Sequence, residues 1–158
     1  MPANPTRLLP AALLSGACLA LGLSAPVAAT PNIETWQTDA GAEVLYAAAP
    51  DLPMVDVRIA FDAGSARDDA QPGLASMTAN MLTEGAGGLD ADTIAERVES
   101  VGAELGTGAG RDMAYASLRS LTEPETLGTA VEILTKVLAA PAFPPSDLER
   151  LRANTLVG

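Results

Sequence analysis

Apolar positions along the chain recur at two periods, and each change of period marks a boundary between elements. Between Ile33 and Phe61 the spacing is close to two. Ile33–Gln37 and Glu43–Ala48 read as strands on either side of the turn Thr38-Asp39-Ala40-Gly41. After the loop Ala49–Pro53, the stretch Met54–Phe61 puts Val55, Val57, Ile59 and Phe61 on one face and Asp56 and Arg58 on the other, which predicts a half-buried strand. From Pro72 the spacing lengthens: Leu74, Met77, Met81 and Leu82 stand at i, i+3, i+7 and i+8, one stripe of a helix. Pro72 suits its first turn, Asp68 and Asp69 place negative charge before it, and Gly85, Gly87 and Gly88 supply a stop.

A second helix is predicted over Asp90–Val101, with Asp90 as N-cap, Ile94, Val98 and Val101 as its buried stripe and Gly102 beyond its end. Ala103–Gly108 and Met113–Ser120 then read as an antiparallel pair joined through residues 109–112. Two helices close the pattern. Thr122-Glu123-Pro124-Glu125 reads as a capping box before a stripe of Leu127, Ala130, Val131, Leu134, Val137 and Leu138, and Pro141, Pro144 and Pro145 end it. Ser146-Asp147-Leu148-Glu149 reads as another capping box, opening a helix that contains Leu148 and Leu151 and runs to Gly158 without a stop signal. A chain that breaks off inside a periodic pattern is expected to be a fragment of a longer one.

Residues 1–29 carry a different pattern. Arg7 precedes the apolar run Leu8–Leu23, and Val27-Ala28-Ala29 offers small residues for cleavage, so the segment is expected to be an export signal. The run is short for a membrane span and no positive flank follows it, so no span is expected after cleavage. Cys18, the single cysteine, follows Ser-Gly-Ala and faintly suggests a lipoprotein box; a lipid anchor there is the alternative to an apolar signal residue. A periplasmic location is the resulting expectation, with residues 30–158 as one domain free of disulfides. The formal charge of −11 becomes about −12 once Arg7 is lost, which disfavours nucleic acid and anionic lipid as partners.

Candidate chemistry is sparse. The chain has no His, residues 30–158 have no Cys, and no Ser-x-x-Lys is present, so the common nucleophilic devices have no parts. Asp62-Ala63-Gly64-Ser65 has the look of an aspartic peptidase loop, but the second Asp of such a dyad would have to come from the turn Asp39-Ala40-Gly41. Gly106-Thr107-Gly108-Ala109-Gly110 is followed by neither Lys-Ser nor a helix, so it reads as a hairpin and not a phosphate cradle.

The first helix carries a more specific signal. Gly73–Leu82, GLASMTANML, resembles the G-L-A-H-x-x-E-H-M-L stretch of the insulinase and pitrilysin-like zinc peptidases, family M16. In that inverted motif two His on adjacent turns hold zinc and the Glu between them activates its water. Laid on this chain, those positions are Ser76, Ala79 and Asn80, and all three are replaced. The resemblance extends from about Ile33 to the end. Gly64-Ser65 stands where the family's third strand ends, and Thr107, Asp112 and Tyr115 keep parts of an N-A-x-T-x-x-D-x-T-x-Y segment whose Asn falls on Leu105 or Gly106. The third zinc ligand, a Glu in the closing helix, would fall among Thr155, Leu156, Val157 and Gly158, none of them acidic.

The resemblance implies an α+β fold, a mostly antiparallel sheet with helices packed on one face, followed in relatives by at least one further domain of the same kind. It implies zinc for the family, which the residues here do not support. It also implies that the strand around Leu105, Gly106 and Thr107 is an exposed edge to which a peptide substrate adds as another strand. The expected function is that of an exported, catalytically inactive homologue acting as non-catalytic subunit and peptide-binding partner of an active M16 zinc peptidase. A self-associating scaffold or peptide-binding module without a peptidase partner is the alternative, and residual metallopeptidase activity is the least compatible with the residues.

Overall fold

The computed structural model describes residues 31–157, and residues 1–29 with their signal and Cys18 lie outside them. The described residues fall into two compact units that divide between Ala48 and Ala49. The first holds a hairpin, β1 (Ile33–Gln37) against β2 (Glu43–Ala47), in a register that sets Trp36 opposite Val44 and Glu34 opposite Tyr46. Its turn is closed by the Gly41 N–H donating to the Thr38 carbonyl at 2.9 Å and the Ala42 N–H donating to Thr38 Oγ1 at 3.1 Å. Trp36 and Tyr46, diagonal neighbours on one face, meet edge to face with centroids 6.4 Å apart.

The second unit is built on a three-stranded antiparallel sheet in the order β3 (Met54–Phe61), β7 (Ala114–Leu121), β6 (Glu104–Ala109). β7 is central and its alternation is sharp. Ala116, Leu118 and Ser120 are buried, whereas Arg119 on the opposite face is exposed and pairs with Asp56 of β3 through Nε at 2.7 Å. Helices α2 (Ala91–Ser100) and α3 (Pro124–Ala139) close over the buried face, and Ile94, Val98, Ala103, Leu118, Ile133, Leu134 and Val137 form one continuous core. Large aromatic side chains take no part in that core; its close packing comes from Ala, Val, Leu and Ile. The architecture is α+β, with antiparallel strands and four helices among the described residues.

Local chemistry accounts for the boundaries. Asp90 caps α2, its Oδ1 accepting from the Thr93 N–H at 2.9 Å, and the Thr93 side chain, together with that N–H, holds the Asp90 carboxyl below its ordinary range. Where the glycines 85, 87 and 88 predict only a stop, the chain folds a two-residue ribbon, β4 (Gly85–Ala86) against β5 (Leu89–Asp90). Gly87 and Gly88 both take positive φ, 56° and 82°, as the tight turn requires. Buried Gly64 serves a different need: a Cβ there would lie 2.3 Å from the Arg111 carbonyl oxygen. That close approach lets the Ser65 and Ala66 N–H groups donate to the carbonyls of Gly110 and Arg111, at 2.9 and 2.8 Å, tying the β6–β7 turn to the short 3-10 segment Ser65–Arg67.

Three expectations need correction. Neither capping box forms: α3 starts at Pro124, so Glu123 and not Thr122 is its N-cap, and it makes no side-chain bond, while the Thr122 N–H donates to the Pro53 carbonyl. The last helix, α4 (Pro145–Val157), starts at Pro145, ahead of Ser146. On α3 the buried stripe is rotated, so that Ile133 is fully buried while Val131 is 42% exposed.

Candidate functional site

The helix that carries the degenerate motif is α1 (Leu74–Met81). It has no side-chain cap of its own at Gly73, whose φ is 92°. Asp68 fills that role from the preceding turn. Its Oδ2 accepts from the Gly73 N–H at 2.8 Å and its Oδ1 from the Ala75 N–H at 2.9 Å, which satisfies a carboxylate only 8% exposed. The acidic pair before the helix is thus a specific cap from Asp68, while Asp69 adopts a positive φ of 46°.

Along α1 the three motif positions diverge. Ala79 is 3% exposed and faces the sheet, where its carbonyl accepts from Thr107 Oγ1 of β6 at 2.8 Å. Ser76 and Asn80 are exposed on the other side. They border a cleft of about 440 Å³ between α1 and α4, whose far wall includes Thr155 and Leu156. Two of the four positions considered for the closing helix therefore stand across from Ser76 and Asn80; Gly158 lies outside the described residues. Leu74, Met77 and Leu148 give the cleft an apolar lining, and the Glu149–Arg152 pair, 3.9 Å apart, borders it. Leu74, which the helical stripe places inside, is 48% exposed because it faces this cleft.

A second tie holds α4 against the end of α1. Arg150 pairs with Asp147 on its own helix at 3.1 Å and with Glu84, just beyond α1. Asp147 and Glu84 together raise Arg150 above its ordinary value.

Zinc can be tested against this arrangement through its donors. Ser76, Asn80 and Thr155 offer two hydroxyls and a carboxamide, all neutral, where the ion takes imidazole, thiolate or carboxylate. Among the described residues no group of three His, Cys, Asp or Glu is placed to hold a metal ion. The residues do not fit the group. Ala79, at the position that would activate water, offers only a buried methyl.

The candidate edge behaves differently. β6 pairs with β7 and, among the described residues, with no strand on its other side. Leu105 and Thr107 stand in register with Leu118 and Ala116 on the helix-covered face; Gly106 pairs with Ser117 on the open face. All three are half-buried. The glycine-rich run 106–110 lies in this strand and its turn, as a hairpin reading requires. Asp62 is paired with Arg67.

The family model of insulinase, peptidase family M16, matches residues 43–157. The chain belongs to the M16 peptidase family. Among solved structures it is similar to a peptidase M16 inactive domain from Pseudomonas fluorescens, at 43% identity and a TM-score of 0.78, over 80% of this chain and 31% of that one. A protease from Helicobacter pylori has the same fold at 14% identity and a TM-score of 0.68, over 80% of this chain and 31% of that one. So does the ferredoxin protease FusC, solved as a point mutant with Arabidopsis ferredoxin, at 18% identity and a TM-score of 0.65, over 77% and 14%. The chain thus spans about a third or less of the length of these relatives. No curated protein matches it.

Proposed function

We propose that this chain is a catalytically inactive M16 homologue that serves as the non-catalytic, peptide-binding partner of an active M16 zinc peptidase. The observation that carries the reading is the α1–α4 cleft. Ser76 and Asn80 face Thr155 and Leu156 across it, and these side chains offer none of the metal chemistry that the resemblance implies. What remains usable is the main chain of β6, which needs no particular side chain to pair with an extended peptide. The family relative named an inactive domain supports the loss of catalysis. Export to the periplasm, inferred from residues 1–29, would place the chain with a secreted peptidase.

The test is to purify the full chain alone and together with an M16 subunit that has the intact zinc motif, then assay peptide cleavage and association. The reading predicts no cleavage by the chain alone, a stable complex with the active subunit, and faster or more selective cleavage by that complex. Light scattering that shows a homodimer indifferent to the active subunit would favour the scaffold alternative instead.

A further inference from the structure

The open face of the sheet carries a column of residues whose geometry bears on which peptide β6 would take, an inference that rests on the reading of β6 as a peptide-pairing edge. On this face the three strands align Asp56, Arg119 and Glu104 in one row, Arg58, Ser117 and Gly106 in the next, and Ala60, Tyr115 and Gly108 in the third. The first row is filled by charge: Arg119 lies between Asp56 at 2.7 Å and Glu104 at 4.0 Å. The other two rows end on glycine at the edge strand.

Those glycines leave space that the central strand partly occupies. Arg58 sits over the Tyr115 ring, 4.1 Å from its centroid, which holds the ring on the open face. A Cβ on Gly108 would meet the Tyr115 hydroxyl oxygen at 2.7 Å and two ring carbons at 2.8 and 2.9 Å, so the phenol lies across the backbone of the edge strand. Aromatic cover of an edge glycine supports the strand by itself. Here it also brings the polar end of the ring over β6, the strand whose other side has no strand partner among the described residues. At Gly106 a Cβ would meet only Ser117 Oγ, at 3.0 Å, leaving the edge bare between the Tyr115 row and the charged row.

We infer that bare Gly106 forms a shallow trough, walled on one side by the Tyr115 phenol lying over Gly108 and on the other by Glu104 and Arg119, and that this trough and the phenol beside it select peptides with bulky side chains at alternate positions. Side chains of an added strand on this face would stand about 5 Å from the Cα positions of β6. With no side chain at 106 and only Ser117 Oγ near its Cβ position, a large residue of the peptide fits there, where an ordinary edge strand would already cover the face. The residue beside Gly108 packs against the Tyr115 phenol, which favours an aromatic or long aliphatic group. The net acidity of the chain turns the selection toward neutral or basic peptides.

The test uses the full chain and two synthetic neutral-to-basic decapeptides, one with Phe at alternate positions and one with Ala in their place. Binding is followed by fluorescence anisotropy, and amide exchange is followed in residues 104–109. The inference predicts protection of β6 by the Phe peptide and about tenfold tighter binding than the Ala peptide. That preference should disappear in Gly106→Val, which fills the trough, and shrink in Tyr115→Ala, with circular dichroism verifying that each variant is folded. Protection of β6 with equal affinity for the two peptides overturns the trough and leaves the edge reading standing. No protection of β6 by either peptide overturns both.

Discussion

The β7–α3 layer and the α1–α4 cleft draw on the same small aliphatic side chains and end at opposite extremes of packing. In the layer, Ala116, Ala130, Ile133 and Val137 are wholly buried and Leu118 retains 1% of its exposure. Across the cleft, Leu74, Leu148 and Leu156 remain 48%, 39% and 78% exposed. Burial in the layer stabilises the fold whatever happens at the cleft, so the cleft can lose its reactive groups without loss of architecture. The contrast explains how a scaffold of this family can persist with serine, alanine and asparagine at the three positions aligned with its zinc motif.

Substitutions can break this contrast or sharpen it. Leu118→Ala should cost about 3 kcal/mol, read as a lower urea midpoint at unchanged slope, because it opens a cavity at the centre of the sheet. Ala79→Glu should cost about 2 kcal/mol: the residue aligned with the catalytic carboxylate is 3% exposed, and a longer acidic side chain there is overpacked and desolvated. For the same reason the combined Ser76→His, Ala79→Glu and Asn80→His variant should fail to bind zinc tightly, with Thr155 and Leu156 still facing it; isothermal titration with zinc checks this. Asp68→Ala should cost about 1 kcal/mol by freeing the Gly73 and Ala75 N–H groups at the start of α1, visible as faster amide exchange there. Leu156→Ala should stay within about 0.5 kcal/mol of the parent. If it cost as much as Leu118→Ala, the packing contrast would be wrong.

A smaller effect is expected from acid. Asp56, held down by Arg119, and Asp90, held down by Thr93, both titrate below the ordinary 3.8 in the folded chain. A depressed carboxyl stabilises the fold above the unfolded value and loses that contribution as pH falls through the folded one. Stability should therefore decline gently below about pH 4. Salt should weaken the Asp56 share more than the Asp90 share, since the latter is a local hydrogen bond. Urea melts at pH 7 and pH 3, with and without added salt, measure both.

Much of this architecture was legible in the residues. The alternation of Val55, Val57 and Ile59 and the Asp90 cap each predict their element, and the α+β class follows from the resemblance carried by Gly73–Leu82. What escaped was decided by tertiary contact. Ile133 displaced Val131 from the buried stripe because α3 is turned to meet β7, and periodicity alone tolerates either. Thr122 meets the capping-box pattern, but the helix starts one residue further on, with Glu123 as its N-cap. The ribbon at Gly85–Asp90 reads in sequence as a helix stop, since only the bonds from Gly87 to Ala140 and from Ala142 to Gly85 give it a partner. At the site, motif alignment singles out Ser76, Ala79 and Asn80 as the positions of the family's zinc motif. The burial of Ala79 and the phenol of Tyr115 across Gly108 depend on packing no short motif encodes.

The central claim is that these helices frame a cleft unable to hold a hydrolytic metal. Its most direct test is the zinc content of the purified full-length chain after equilibration with excess zinc and gel filtration, measured with its peptide cleavage. The account predicts far less than one zinc per chain and no cleavage sensitive to chelators. One tightly held zinc per chain, lost together with cleavage on treatment with a chelator, would contradict it.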